Sequence, residues 1–144
     1  MYIRIPIIKP ILKYKNVKQM RAENNTIMIA DQKGVSVIDI NSIVRIEAIN
    51  NYSKLFLNDG RSLVVSKVLK RMEALLEGKG FERIHRSHLV NGACIQRYNL
   101  FQKKITLHNE EELSISRRKR TDIRKKLSEQ RAAYSNRQRM LFPA

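Results

Sequence analysis

The side chains able to do chemistry gather in residues 81–91, Phe-Glu-Arg-Ile-His-Arg-Ser-His-Leu-Val-Asn. Three chemistries compete for them. The first is metal binding by His85 and His88. Their spacing puts two imidazoles on one side of a helix but on opposite sides of a strand. No cysteine or carboxylate cluster adjoins them, so no metal site is expected. The second is nucleophilic catalysis by Ser87. No glycine-flanked turn presents this serine, and no acid stands ready to orient a histidine. Cys94, the one cysteine, lies between Ala93 and Ile95 and reads as a packed thiol. The third is hydrogen-bond donation. Arg83, His85, Arg86, Ser87 and His88 are donors for phosphates and base edges, held on a run that Phe81, Ile84, Leu89 and Val90 can anchor in a core. The bland alternative is a partly buried strand with a solvated basic face. The expectation is a binding module and not an enzyme, with no catalytic residue, metal or cofactor.

Charge narrows the partner. Twenty-nine Lys and Arg against 13 Asp and Glu leave +16, and the excess is uneven. Residues 1–23 carry +5, residues 117–144 carry +8, and the 93 residues between carry only +3. A basic surface attracts polyanions and releases their counterions on contact, so nucleic acid is the first candidate and an anionic membrane the second. No apolar stretch approaches the ~20 residues of a membrane span, so stable membrane insertion is not expected. The single cysteine excludes an intramolecular disulfide framework and fits a reducing cytoplasm.

The elements that must position these donors follow from periodicity. Residues 1–24 hold two prolines four apart and read as a basic N-terminal arm. Residues 25–127 read as the folded domain and residues 128–144 as a basic tail. Short strands are expected at Thr26–Ala30, Val35–Ile38, Ile43–Ile49, Ser53–Leu57 and Arg61–Val65. In the third, Val44, Ile46 and Ala48 should face one way, with Arg45 and Glu47 facing the other. Asp31 to Gly34 and Asn58-Asp59-Gly60 are turn sequences. A helix capped by Ser66 should bury Val68, Leu69, Met72, Leu75 and Leu76 and end at Gly78 and Gly80. Strands are expected again from Cys94 to Tyr98, Lys103 to His108 and Glu111 to Ser116. From Arg117 a basic helix should begin, with one thin apolar edge at Ile123 and Leu127, and fray beyond about Ala132. The whole is mainly β with one mid-chain helix and a basic C-terminal helix.

Three polar loops then stand at strand ends. They are Asn50 to Lys54, His85 to His88, and Ser116 to Arg120. Arg can read guanine by paired hydrogen bonds and Asn can read adenine, while Ser, Tyr and Lys suit phosphates.

This ordered set resembles the LytTR DNA-binding domain of bacterial transcription regulators over about residues 26–127. The matching stretches are Ile43-Val44-Arg45-Ile46-Glu47-Ala48, Asn51-Tyr52, the Asp59-Gly60 turn, residues 69–76, Phe81 through Asn91, and Leu113-Ser114-Ile115-Ser116-Arg117-Arg118. The resemblance implies an elongated stack of small antiparallel sheets that inserts loops into successive major grooves of double-stranded DNA. It also implies a transcription regulator, with a second copy of the chain on paired sites. By similarity, Tyr52 and Ser53 supply one contact, Arg86 the second and Arg117 the third. The full set of expected contacts is Asn51, Tyr52, Ser53, Lys54, Arg83, His85, Arg86, Ser87, Arg117 and Arg118. Family members commonly have glycine where this chain has Asn50. Only about 25 residues precede the domain, too few for a receiver domain, so the expectation is a stand-alone module. The competing function is RNA binding or non-specific architectural binding. RNA readers usually expose stacking aromatics on a sheet, and this chain has few.

Overall fold

The computed structural model describes residues 25–31 and 33–141. The expected N-terminal arm lies outside the described residues. The described residues divide into two compact units, one made of residues up to 82 with 87–94, the other of residues 83–86 with those from 95 onward.

The first unit opens with a hairpin. Strand β1 (Thr26–Asp31) pairs antiparallel with β2 (Gly34–Asp39), with Asp31 opposite Gly34. A single 3-10 turn at Ile40–Ser42 follows, started by Asp39, whose carboxylate accepts from the Asn41 N–H at 2.9 Å. Then comes a meander of β3 (Ile43–Ile49), β4 (Tyr52–Leu57) and β5 (Ser62–Val65). Helix α1 (Leu69–Leu75) crosses to β6 (Phe81–His85) and β7 (His88–Asn91). The five strands form one sheet in the order β5-β4-β3-β7-β6, so β7 lies between β6, its neighbour in the chain, and β3 of the meander.

One face of this sheet carries Ile43, Ile46, Leu55, Val65 and Leu89, all buried with Ile27, Ile29 and Ile38 of the first hairpin. Helix α1 packs on β3, β4 and β7 and adds Leu69 and Met72, with Leu76 just past its end. Two details depart from expectation. A bulge between Ile43 and Arg45 inserts a residue at Val44. Ile43 and Ile46, three apart, therefore both reach the core, and the simple alternation Val44-Ile46-Ala48 is broken. The second departure is the start of α1. Ser66 does not cap it; the helix starts after Val68 with no side-chain cap, and Val68 is exposed rather than part of the apolar stripe. The Ser53 hydroxyl donates to the Lys67 carbonyl at 2.6 Å, and the Arg71 and Met72 N–H groups bond to Val68, so the first turn forms two residues later than the serine suggests.

At the far end of the β6–β7 pair the Gly92 N–H donates to the Gly80 carbonyl at 2.9 Å. A Cβ at Gly92 would lie 2.8 Å from that oxygen, so only glycine fits there.

The second unit contains β8 (Ile95–Asn99), β9 (Lys104–Leu107) and β10 (Glu112–Ser114) in the order β10-β9-β8. It buries Ile84, Ile105, Leu107, Leu113, Ile115 and Ile123. Helix α2 runs from Arg117 to Leu141 without a break. The fraying expected beyond Ala132 is therefore not found. Thin apolar support was the wrong criterion, because residues 117–141 contain no glycine or proline and are rich in strong helix formers.

Candidate nucleic-acid interface

In the first unit, β3 and β4 are joined by the two residues Asn50-Asn51, since Ile49 pairs with Tyr52 and Ala48 with Ser53. Asn50 takes φ 52, the left-handed conformation that glycine adopts without strain and that asparagine tolerates better than most residues. Asn50 thus reproduces a glycine-like turn. The turn lifts Asn51 and Tyr52 into solvent, with Tyr52 49% exposed. The Ala48 N–H donates to the Ser87 carbonyl at 2.9 Å, so Ser87 sits beside the root of this turn.

Ser53 behaves differently from its expected role. It is fully buried, and its hydroxyl is the donor to Lys67 described above. Its hydroxyl thus ties the start of β4 to the approach to α1. Lys54 is half-buried, with its ammonium 5.1 Å from the Phe56 ring centroid. The Arg45 guanidinium lies over the same ring at 3.7 Å and also reaches Glu47 Oε2 at 3.3 Å. Arg45, expected outside, is only 9% exposed. Its stem and flat head pack on the aromatic face, an arrangement that favours arginine.

In the second unit, the two arginines of the Arg-Ile-His-Arg run divide their work. Arg83 Nε donates to the His85 carbonyl at 2.8 Å, and its Nη2 donates to the Arg86 carbonyl at 2.7 Å. One guanidinium thus clamps two successive carbonyls of the turn. Arg83, one of the expected contacts, thereby shapes the loop that presents Arg86. Arg86 is exposed at the two-residue turn Arg86-Ser87 between β6 and β7, with His85 half-buried beside it. The Ser116 N–H donates to the Ile84 carbonyl at 2.8 Å, which sets the start of α2 next to this segment. The Ser116 carbonyl accepts from the Lys119 and Arg120 N–H groups at 3.0 and 3.2 Å, closing the first helical turn. Arg117 and Arg118 are exposed there, while Arg120 folds back so that Nε donates to the Ile115 carbonyl at 3.3 Å.

The electrostatics of that helix start are unusual. Helix N-termini carry a partial positive charge and favour acids. Here Arg117, Arg118, Lys119 and Arg120 follow one another with no acid in the first turn. An anion held at this end would offset the cost.

Among the described residues no three His, Cys, Asp or Glu side chains gather where they could hold a metal ion. Burial pushes the Cys94 thiol above its ordinary value, which disfavours the thiolate a nucleophile needs. Among the described residues no helix is long and apolar enough to cross a membrane. The sequence did not single out Lys67, and it placed Asn50 and Arg120 in the polar loops without counting them among the expected contacts. Only Asn50 left a signal, as an asparagine at a two-residue strand connection.

A family model for the LytTr DNA-binding domain matches residues 33–128. No curated protein matches the chain. Among solved structures, the chain is similar to the LytTr DNA-binding domain of a Bacillus cereus protein described as a methyl-accepting/DNA response regulator, with a TM-score of 0.60 and 21% identity. The match covers 72% of this chain and 96% of that one, and at such identity it speaks for the fold.

Proposed function

Because the chain belongs to the LytTR family of DNA-binding domains, we propose that it binds double-stranded DNA sequence-specifically and regulates transcription. Its role is recognition rather than catalysis. Arg86 and Arg117 read bases in successive major grooves, with Tyr52 supplying a further contact from the first turn. Asn51, Lys54, His85, Ser87 and Arg118 fix the register by meeting phosphates and neighbouring edges. Ser53 and Arg83 leave the list of contacts and become positioning residues.

The observation that carries this reading is the run of four cations at the start of α2, tied by the Ser116–Ile84 hydrogen bond to the segment that presents Arg86. Two exposed arginines stand on backbone fixed by hydrogen bonds, which suits bidentate recognition better than mobile charge does.

The test is selection of bound duplexes from a random pool near physiological salt, followed by sequencing. A short motif is expected, repeated at about one helical turn if two copies bind. Absence of any motif, with binding that vanishes as salt rises, would leave only electrostatic attachment. Structured RNA that outcompetes duplex DNA would favour the RNA reading. On the selected motif, Arg86→Ala and Arg117→Ala should each cost about 1–3 kcal/mol and relax base preference at one position. Deleting residues 128–144 should instead weaken binding to all sequences alike and lower the salt slope, because that segment contributes charge without readout.

A further inference from the structure

Helix α2 continues to Leu141, past residue 128, where the family match ends. The extension is not a uniformly polar rod. Leu127, Tyr134 and Leu141 recur at seven-residue steps, and each such step returns to within ~20° of the same face of a helix. They continue the line of Ile123. Ile123 is buried and Leu127 half-buried, but Tyr134 is 61% exposed and Leu141 65% exposed. An apolar seam therefore begins inside the second unit and runs on into solvent. At 1.5 Å per residue the whole helix is about 37 Å long, and its C-terminal half stands uncovered.

The seam has a charged border of one sign. Arg124 and Arg131 flank it on one side, and Lys119, Lys126 and Arg137 on the other. Asp122 and Glu129, seven apart, lie further round the helix from the seam, beyond Lys126. This arrangement selects among occupants. A second copy laid seam to seam would set lysines and arginines against one another in either orientation, so self-pairing is opposed. DNA phosphates would use the cations but gain nothing from the exposed leucine and tyrosine. An acidic amphipathic helix satisfies both features, with its apolar stripe on the seam and its carboxylates against the flanking cations.

We infer that residues 127–141 of α2 form a docking surface for an acidic amphipathic helix of a partner protein. The inference goes beyond DNA recognition and does not depend on it.

The probe is a designed acidic helix of about four heptads, with leucine at the seam positions and glutamate beside them. The control is a scrambled peptide of the same composition. Each is titrated against the full chain by fluorescence anisotropy at about 0.15 M salt. The parent should bind the designed helix, and the Tyr134→Ser/Leu141→Ser double variant should bind it at least about tenfold more weakly. Circular dichroism should show α2 retained in that variant, and its affinity for duplex DNA should be unchanged. Equal binding of the scrambled peptide, or equal binding by the variant, would reduce the effect to net charge and overturn the inference. So would three other results. Self-association of the parent that disappears with Tyr134→Ser would assign the seam to a second copy. Vesicles of phosphatidylglycerol and phosphatidylcholine that displace the peptide in a Tyr134-dependent way would assign it to a membrane surface. Loss of duplex affinity in the variant would assign it to DNA. Failure of the DNA reading itself would appear separately, as a duplex selection without a motif.

Discussion

The two α-helices among the described residues are built on opposite terms. Helix α1 has seven residues, too few to persist alone in water. It lacks a side-chain cap and holds its shape because Leu69 and Met72 are buried against the sheet. Helix α2 has 25 residues and buries only Ile123 among them. Its shape comes from composition, with good helix formers throughout and Asp122 one favourable four-residue step before Lys126. The first helix is a consequence of the core. The second is close to autonomous, and that is how a chain with a modest core extends basic charge well beyond it.

This contrast can be broken by mutation. Met72→Ala should cost about 2–5 kcal/mol, because it empties a fully buried site beneath α1. Urea unfolding of the first unit measures it, and an unmoved midpoint would mean that burial does not hold the helix. Ser53→Ala should cost about 1–3 kcal/mol, since it leaves the Lys67 carbonyl at the approach to α1 without its donor. The same unfolding curve reads it, and an accompanying loss of DNA affinity would come through the displaced turn rather than a lost contact. The smallest global effect belongs to α2. Ala132→Gly combined with Ala133→Gly should weaken that helix by about 1 kcal/mol per site. Far-UV circular dichroism should fall while the urea midpoint stays in place. A shift in the midpoint would show that the outer half of α2 supports the fold after all.

The sequence made the strands legible because apolar alternation and turn residues agree along most of residues 26–116. It failed where one residue type serves two environments. Ser53 follows a polar turn and reads as exposed, yet its hydroxyl points to a carbonyl 14 residues away that no local pattern reveals. Arg83 and Arg86 look equivalent in the run, and only the folded turn shows that the first clamps the backbone while the second is presented outward. The bulge at Val44 is hidden for a similar reason, because an extra apolar residue in an apolar strand leaves the pattern unchanged to the eye. Ser66 is the reverse case, a good capping residue whose position lost to a tertiary hydrogen bond.

The strand order has a consequence in time. Strands β3, β4 and β5 are neighbours in sequence and can pair as soon as they exist, but β7 must return across α1 to lie beside β3, pairing Val90 with Arg45. Asn91 then locks the arrangement, donating its buried side-chain amide to the Ile43 carbonyl at 2.9 Å, across 48 positions of chain. Distant pairings form late because their loop must close before any contact rewards it. Ser87 reaches the root of the Asn50-Asn51 turn only through this last pairing. During synthesis, therefore, a ribosome-bound chain that stops short of β7 already has its meander but has not yet assembled that surface. Its ability to recognise a target would switch on late in its own making, rather than growing in step with its length.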